Sequence, residues 1–86
     1  MDIIKGSVVR AKAGRDKGSY FVVLNLDKDF AFIADGKTRK LENPKKKNLK
    51  HLEATSFVLS EKLETNRKIK KALCDFNTNR RLVYNS

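Results

Sequence analysis

The chain has 86 residues and a formal net charge of +10, from 20 Lys plus Arg against 10 Asp plus Glu. That length fits one small domain near the lower limit for a self-sufficient core and leaves no second, catalytic domain within it. The single cysteine, Cys74, excludes an internal disulfide and a thiolate metal cluster and fits a reducing compartment. No apolar stretch approaches the roughly 20 residues of a bilayer span, and the N-terminus lacks a charged-then-apolar signal pattern, so a cytoplasmic location is expected.

In chain order, Val9, Ala11 and Ala13 alternate with Arg10 and Lys12, the period-2 pattern of a strand with one buried face. Gly14 and Gly18 then bracket Arg15, Asp16 and Lys17, and glycine takes positive φ at no steric cost, so a tight charged reversal is predicted there. On its own this tip reads equally as a solvated turn or as a contact site. Tyr20 to Leu26 is rich in β-branched and aromatic residues on both faces, which predicts a strand covered on both sides. A third strand is expected over Phe30 to Asp35, entered through Asp27-Lys28-Asp29 and ended by the hairpin signal Asp35-Gly36. A short fourth strand is expected over Thr38 to Glu42, with Pro44 and Lys45 to Lys47 as a loop, because proline removes a ladder donor and like charges repel. A fifth strand is placed near His51 to Thr55.

Helical spacing begins after residue 58. Leu59 and Leu63, four apart, suggest a helical turn with Ser60 as its N-cap and Glu61 in its first turn. Asn66 is expected to cap a second helix, whose Ile69, Ala72, Leu73 and Phe76 form an apolar stripe opposite Lys68 and Lys71. Docking that stripe on the second strand would explain the strand's lack of a polar side. The tail from Thr78 to Ser86 either docks through Leu82 and Tyr84 or stays loose. The fold class expected is mainly β: a small SH3-like, five-stranded barrel over residues 1–58, with a C-terminal α-helical extension over 59–86 packed on it. An OB-fold is the nearest competitor, being also a five-stranded barrel of this charge type.

The excess charge is localised. Between residues 36 and 51 there are seven basic residues against Glu42 alone, a local net of +6. Residues 67–71 add four cations and no acid, so these two segments hold the whole net charge. Clustered positive charge is the footprint of a polyanion binder, because each phosphate neutralised releases condensed counterions.

The run Gly6-x-Val8-Val9 through Ala13-Gly14-Arg15-Asp16-Lys17-Gly18 to Val22-Val23, followed by Ala34-Asp35-Gly36, resembles a KOW motif, shared by several ribosomal proteins and some transcription elongation factors. Arg39-Lys40-Leu41 and Pro44-Lys45-Lys46-Lys47-Asn48-Leu49-Lys50-His51-Leu52 resemble, more narrowly, the large-subunit ribosomal proteins of the fourteen-e type and their short bacterial KOW relatives. Phe21 stands where many KOW proteins carry a further glycine, which points away from the bacterial ribosomal and elongation-factor branches. The resemblance covers about residues 3 to 55. It implies a KOW barrel and a ribosomal or other structured RNA partner, with ribosomal proteins as further neighbours.

On that reading Arg15 and Lys17 contact phosphate at the tip, while Gly14, Asp16, Gly18 and Gly36 shape turns. Lys37, Arg39 and Lys40 extend the patch. Lys45, Lys46, Lys47 and Lys50 form a second basic loop, with Asn48 and His51 able to hydrogen-bond sugar or base edges. The planar guanidinium fork makes Arg15 and Arg39 the strongest candidates. Catalysis is not expected: His51 is the only histidine and sits in a lysine run, and Cys74, expected to pack in the helix, has no catalytic partner. No metal, cofactor, small-molecule substrate or membrane is called for. The competing class is a protein–protein adaptor, with Tyr20, Phe21, Phe30, Phe32 and Phe57 lining a groove for an acidic partner of a ribosome or transcription complex, although aromatics in strands are more often core.

Overall fold

The computed structural model describes residues 2–60 and 62–85, with backbone alone for 79–85. Five strands, β1 (Ser7–Ala11), β2 (Tyr20–Asp27), β3 (Phe30–Ala34), β4 (Lys45–Asn48) and β5 (Leu52–Val58), precede one helix, α1 (Asn66–Asn85). A single 3₁₀ turn, Leu49–His51, joins β4 to β5. The strands form one antiparallel sheet in the order β4-β3-β2-β1-β5. The molecule is thus mainly β with a C-terminal helix.

Both faces of β2 are buried, as its composition predicts. Phe21 and Val23 join Val9, Ala11, Ala31, Ile33 and Leu52 in one cluster made of strand residues alone. Val22, pointing the other way, joins Val8 and Ala34 under Ile69, Leu73 and Phe76 of α1. Val9 and Ile33 are completely buried in that cluster, against which the partly buried Ile3, Leu26 and Leu49 also pack. Fully burying an aliphatic side chain of this size stabilises by about 1.5–3 kcal/mol, so the Ile69–Leu73–Phe76 stripe makes α1 an integral part of the fold.

The ladders are interrupted twice. Leu24 is an extra residue of β2 between the Val23–Ile33 and Asn25–Phe32 pairs. In β5, residues 55–57 face Val8 alone, and the Thr55 hydroxyl donates to the Val8 carbonyl at 2.7 Å where the ladder is broken.

Several expectations are corrected. Residues 38–42 form turns in place of a strand, because the Asp35 carboxylate accepts the N–H groups of Lys37 and Arg39 at 2.9 and 2.8 Å and winds the chain locally. The fourth strand is instead the lysine run. As an edge strand it keeps one side in water, and lysine stems can lie along apolar surface while their ammonium groups stay solvated. The fifth strand begins at Leu52 and runs on to Val58, while His51 sits in the 3₁₀ turn. Leu59, Ser60, Lys62 and Leu63 are not helical, and Glu61 lies outside the described residues. Leu59 and Leu63 instead pack separately on the second cluster, and the Leu59 N–H donates to the Gly6 carbonyl at 2.8 Å.

The cap of α1 is Thr65, whose hydroxyl accepts the Lys68 N–H and whose carbonyl accepts the Ile69 N–H, both at 3.2 Å. Asn66 is occupied elsewhere: its amide accepts from the Leu41 N–H and donates to Glu42, both at 2.7 Å. The helix continues past Thr78 to Asn85, and the docking expected of Leu82 and Tyr84 falls on side chains outside the described ones. Cys74 is exposed, because it falls between the buried positions Leu73 and Phe76 on the helix's outer side. Among the described residues no helix is long and apolar enough to cross a membrane.

Candidate nucleic-acid interface

The tip of the β1–β2 hairpin is closed by its own backbone. The Lys17 N–H donates to Gly14, the Gly18 N–H to Ala11 and the Ser19 N–H to the Asp16 carbonyl, at 3.2, 2.8 and 2.9 Å. Gly14 and Gly18 sit at φ +82° and +89°, so the bracketing glycines do allow the reversal. Arg15 and Lys17 are exposed at its apex.

Asp16 reaches out of the turn. Its Oδ2 accepts from an Arg39 guanidinium nitrogen at 3.0 Å, with side-chain exposures of 13% and 27% for Asp16 and Arg39. Arg39 is therefore held inside, between the tip and the 35–43 loop, and its Nε is buried with no hydrogen-bond partner. A guanidinium fixed in this way is a strut between the tip and the loop.

A second strut comes from β4. The Lys47 ammonium donates to the Ala13 carbonyl at 2.9 Å, clamping the base of the same tip. The register explains why this lysine and not its neighbours turns inward: Lys45 and Lys47 stand opposite Ile33 and Ala31, on the face of the strand-only cluster. Lys46 points to the other face, its ammonium 4.7 Å from the centre of the Phe30 ring. Asn48 caps the 3₁₀ turn, its Oδ1 accepting the Lys50 N–H at 3.0 Å.

The remaining candidates, Lys37, Lys40, Lys45, Lys50 and His51, are exposed. Only two ion pairs form among the described residues: Asp16–Arg39, and a loose Arg10–Glu53 contact at 3.8 Å. The two struts tie Arg15 and Lys17 to the segment carrying Lys37, Lys40 and Lys45, which starts 20 positions further along the sequence. Lys12, exposed just past β1 with its N–H donating to the His51 carbonyl at 2.8 Å, adds a cation beside Lys50. Its alternation with Ala11 and Ala13 was the available signal. Lys70 belongs with the same surface, since the 35–37 loop rides on α1, and no pattern in the sequence brings those two segments together.

The aromatic residues are dispersed. Phe21 is core, Phe30 lies under Lys46, and Tyr20 and Phe57 both pack on Phe76, with ring centroids 5.2 and 4.9 Å apart. Among the described residues no three His, Cys, Asp or Glu side chains gather as a metal site. No protein-family model matches the chain, and no curated protein gives a significant match to it.

Proposed function

We propose that this chain is a cytoplasmic, non-catalytic RNA-binding module of the KOW type, a curled SH3-like barrel that binds ribosomal or other structured RNA as a ribosomal protein or ribosome-associated factor. The observation that carries the reading is the pair of struts, Asp16–Arg39 and Lys47–Ala13, which holds the cationic tip against the cationic 37–45 segment. Two cation groups held in fixed relation suit a polyanion of regular phosphate spacing better than scattered lysines do. Phosphate contact comes from Arg15, Lys17, Lys37, Lys40, Lys45 and Lys50. Asp16, Arg39 and Lys47 act beneath them as positioning residues, and His51 beside Lys50 is placed to meet sugar or base edges.

The test is fluorescence anisotropy of a labelled ribosomal stem-loop RNA across a salt series. Arg15→Ala/Lys17→Ala is expected to weaken binding and flatten the log–log salt slope by about 1.4–1.8, the worth of two phosphate contacts. An unchanged slope removes the tip from the interface, and saturable binding to acidic peptides in place of RNA would favour the adaptor class.

A further inference from the structure

Where the loop meets the helix there is a cleft of about 540 Å³, walled by residues 19–20, the 35–37 loop and one side of α1. That volume lies within the range of small-ligand sites. Its two cations come one from each basic segment: Lys37 from the loop and Lys70 from α1, both exposed. Gly36 lets them share a wall. A Cβ there would collide with the Asn66 carbonyl and stand 3.1 Å from Lys70 Cγ, so only a residue without a side chain lets the loop lie this close to the helix.

The carboxylate in the wall, Asp35, is turned to its own loop, where Oδ1 accepts two backbone N–H groups. Tyr20, half-buried and held against Phe76, supplies an aromatic wall, and Asn77 brings an amide to the same cleft. Two ammonium groups beside an aromatic ring and an amide match a phosphate together with its base. A bare anion would use only the lysines.

We infer that this cleft takes one unstacked nucleotide from a single-stranded stretch of bound RNA, with its phosphate at Lys37 and Lys70 and its base along Tyr20 toward Asn77. The inference rests on the RNA reading above and deepens it, because it routes the strand from the loop onto α1 and so joins the two basic segments in one path.

Cys74 lines the same cleft, is exposed, and is the only cysteine of the chain, so its alkylation reports on the cleft alone. The full chain is treated with iodoacetamide, free or saturated with a stem-loop RNA bearing a long single-stranded loop, and labelling is followed by mass spectrometry. Saturation is set beforehand by anisotropy, and circular dichroism verifies the fold of each variant. Bound RNA is expected to slow Cys74 alkylation several-fold. Lys37→Ala/Lys70→Ala is expected to abolish that protection at re-established saturation and to weaken binding by about tenfold, or 1.4 kcal/mol. Arg15→Ala/Lys17→Ala, at positions that do not line the cleft, should retain it. Unprotected Cys74 in a saturated complex, or equal protection by a fully paired duplex, overturns the cleft inference while the RNA reading stands. Absence of salt-dependent RNA binding overturns both.

Discussion

The two basic segments have comparable charge density in the sequence but different fates in the fold. Residues 36–51 carry seven cations, of which Arg39 braces Asp16 and Lys47 clamps Ala13. That leaves Lys37, Lys40, Lys45 and Lys50, together with Lys46, which stays exposed over the Phe30 ring. Residues 67–71 carry four, and all of them, Arg67, Lys68, Lys70 and Lys71, are exposed on α1. The first segment's lead narrows to five exposed cations against four once Arg39 and Lys47 are subtracted. A charge run on an edge strand and loop can turn inward to satisfy a buried carbonyl or carboxylate, whereas the outer side of a helix docked by an apolar stripe leaves its cations in water.

The strongest way to break this pairing is to loosen the helix from the sheet. Ile69, fully buried in the second cluster with Val8, Val22 and Ala34 of the sheet, is the anchor, and Ile69→Ala should cost about 2–5 kcal/mol in urea unfolding. A loss under 1 kcal/mol, in this assay, would mean that α1 is an appendage and that the two basic segments are independent.

The joint between the segments can be broken more selectively. Gly36 and Gly18 sit at nearly the same φ, +82° and +89°, but an added Cβ at Gly36 meets the Asn66 carbonyl while one at Gly18 meets nothing within 4 Å. Gly18→Ala should therefore cost only the left-handed backbone penalty of about 1–2 kcal/mol. Gly36→Ala should cost clearly more, and should also quicken amide exchange in the first turn of α1. Equal losses at the two positions would show that the close approach of loop and helix is unimportant.

The finest comparison lies inside one segment. Lys45 and Lys47 are two residues apart on one strand, yet Lys45 is exposed and Lys47 is half-buried on the Ala13 carbonyl. Lys47→Met should lower stability by about 1–2 kcal/mol, the worth of a charged hydrogen bond to a carbonyl, with the RNA salt slope nearly unchanged. Lys45→Met should do the reverse, leaving the melting temperature within a degree or two and flattening the slope by about 0.7–0.9. Interchanged results would reverse the division between struts and contacts.

Much of the fold was legible because its signals are local. The glycine-bracketed tip, the doubly apolar second strand, the Asp27–Asp29 turn and the Ile69–Phe76 stripe each follow from spacing within a few residues. The lysine strand was not legible. Repulsion among Lys45, Lys46 and Lys47 argues for a loop, and only pairing with Phe30 to Ile33 supplies the ladder that offsets it. The caps show the same limit: Thr65 and Asn66 are both good cap residues, and the choice between them follows from the 41–42 loop, which takes the Asn66 amide.

The sequence by itself determined a small, strand-rich, strongly cationic chain ending in an amphipathic helix, because composition and hydrophobic period are properties of neighbouring residues. Tertiary structure alone decided which cations face solvent. That outcome depends on which carbonyl or carboxylate lies within about 3 Å of each side chain, as Asp16 does of Arg39 and Ala13 of Lys47 across 23 and 34 positions.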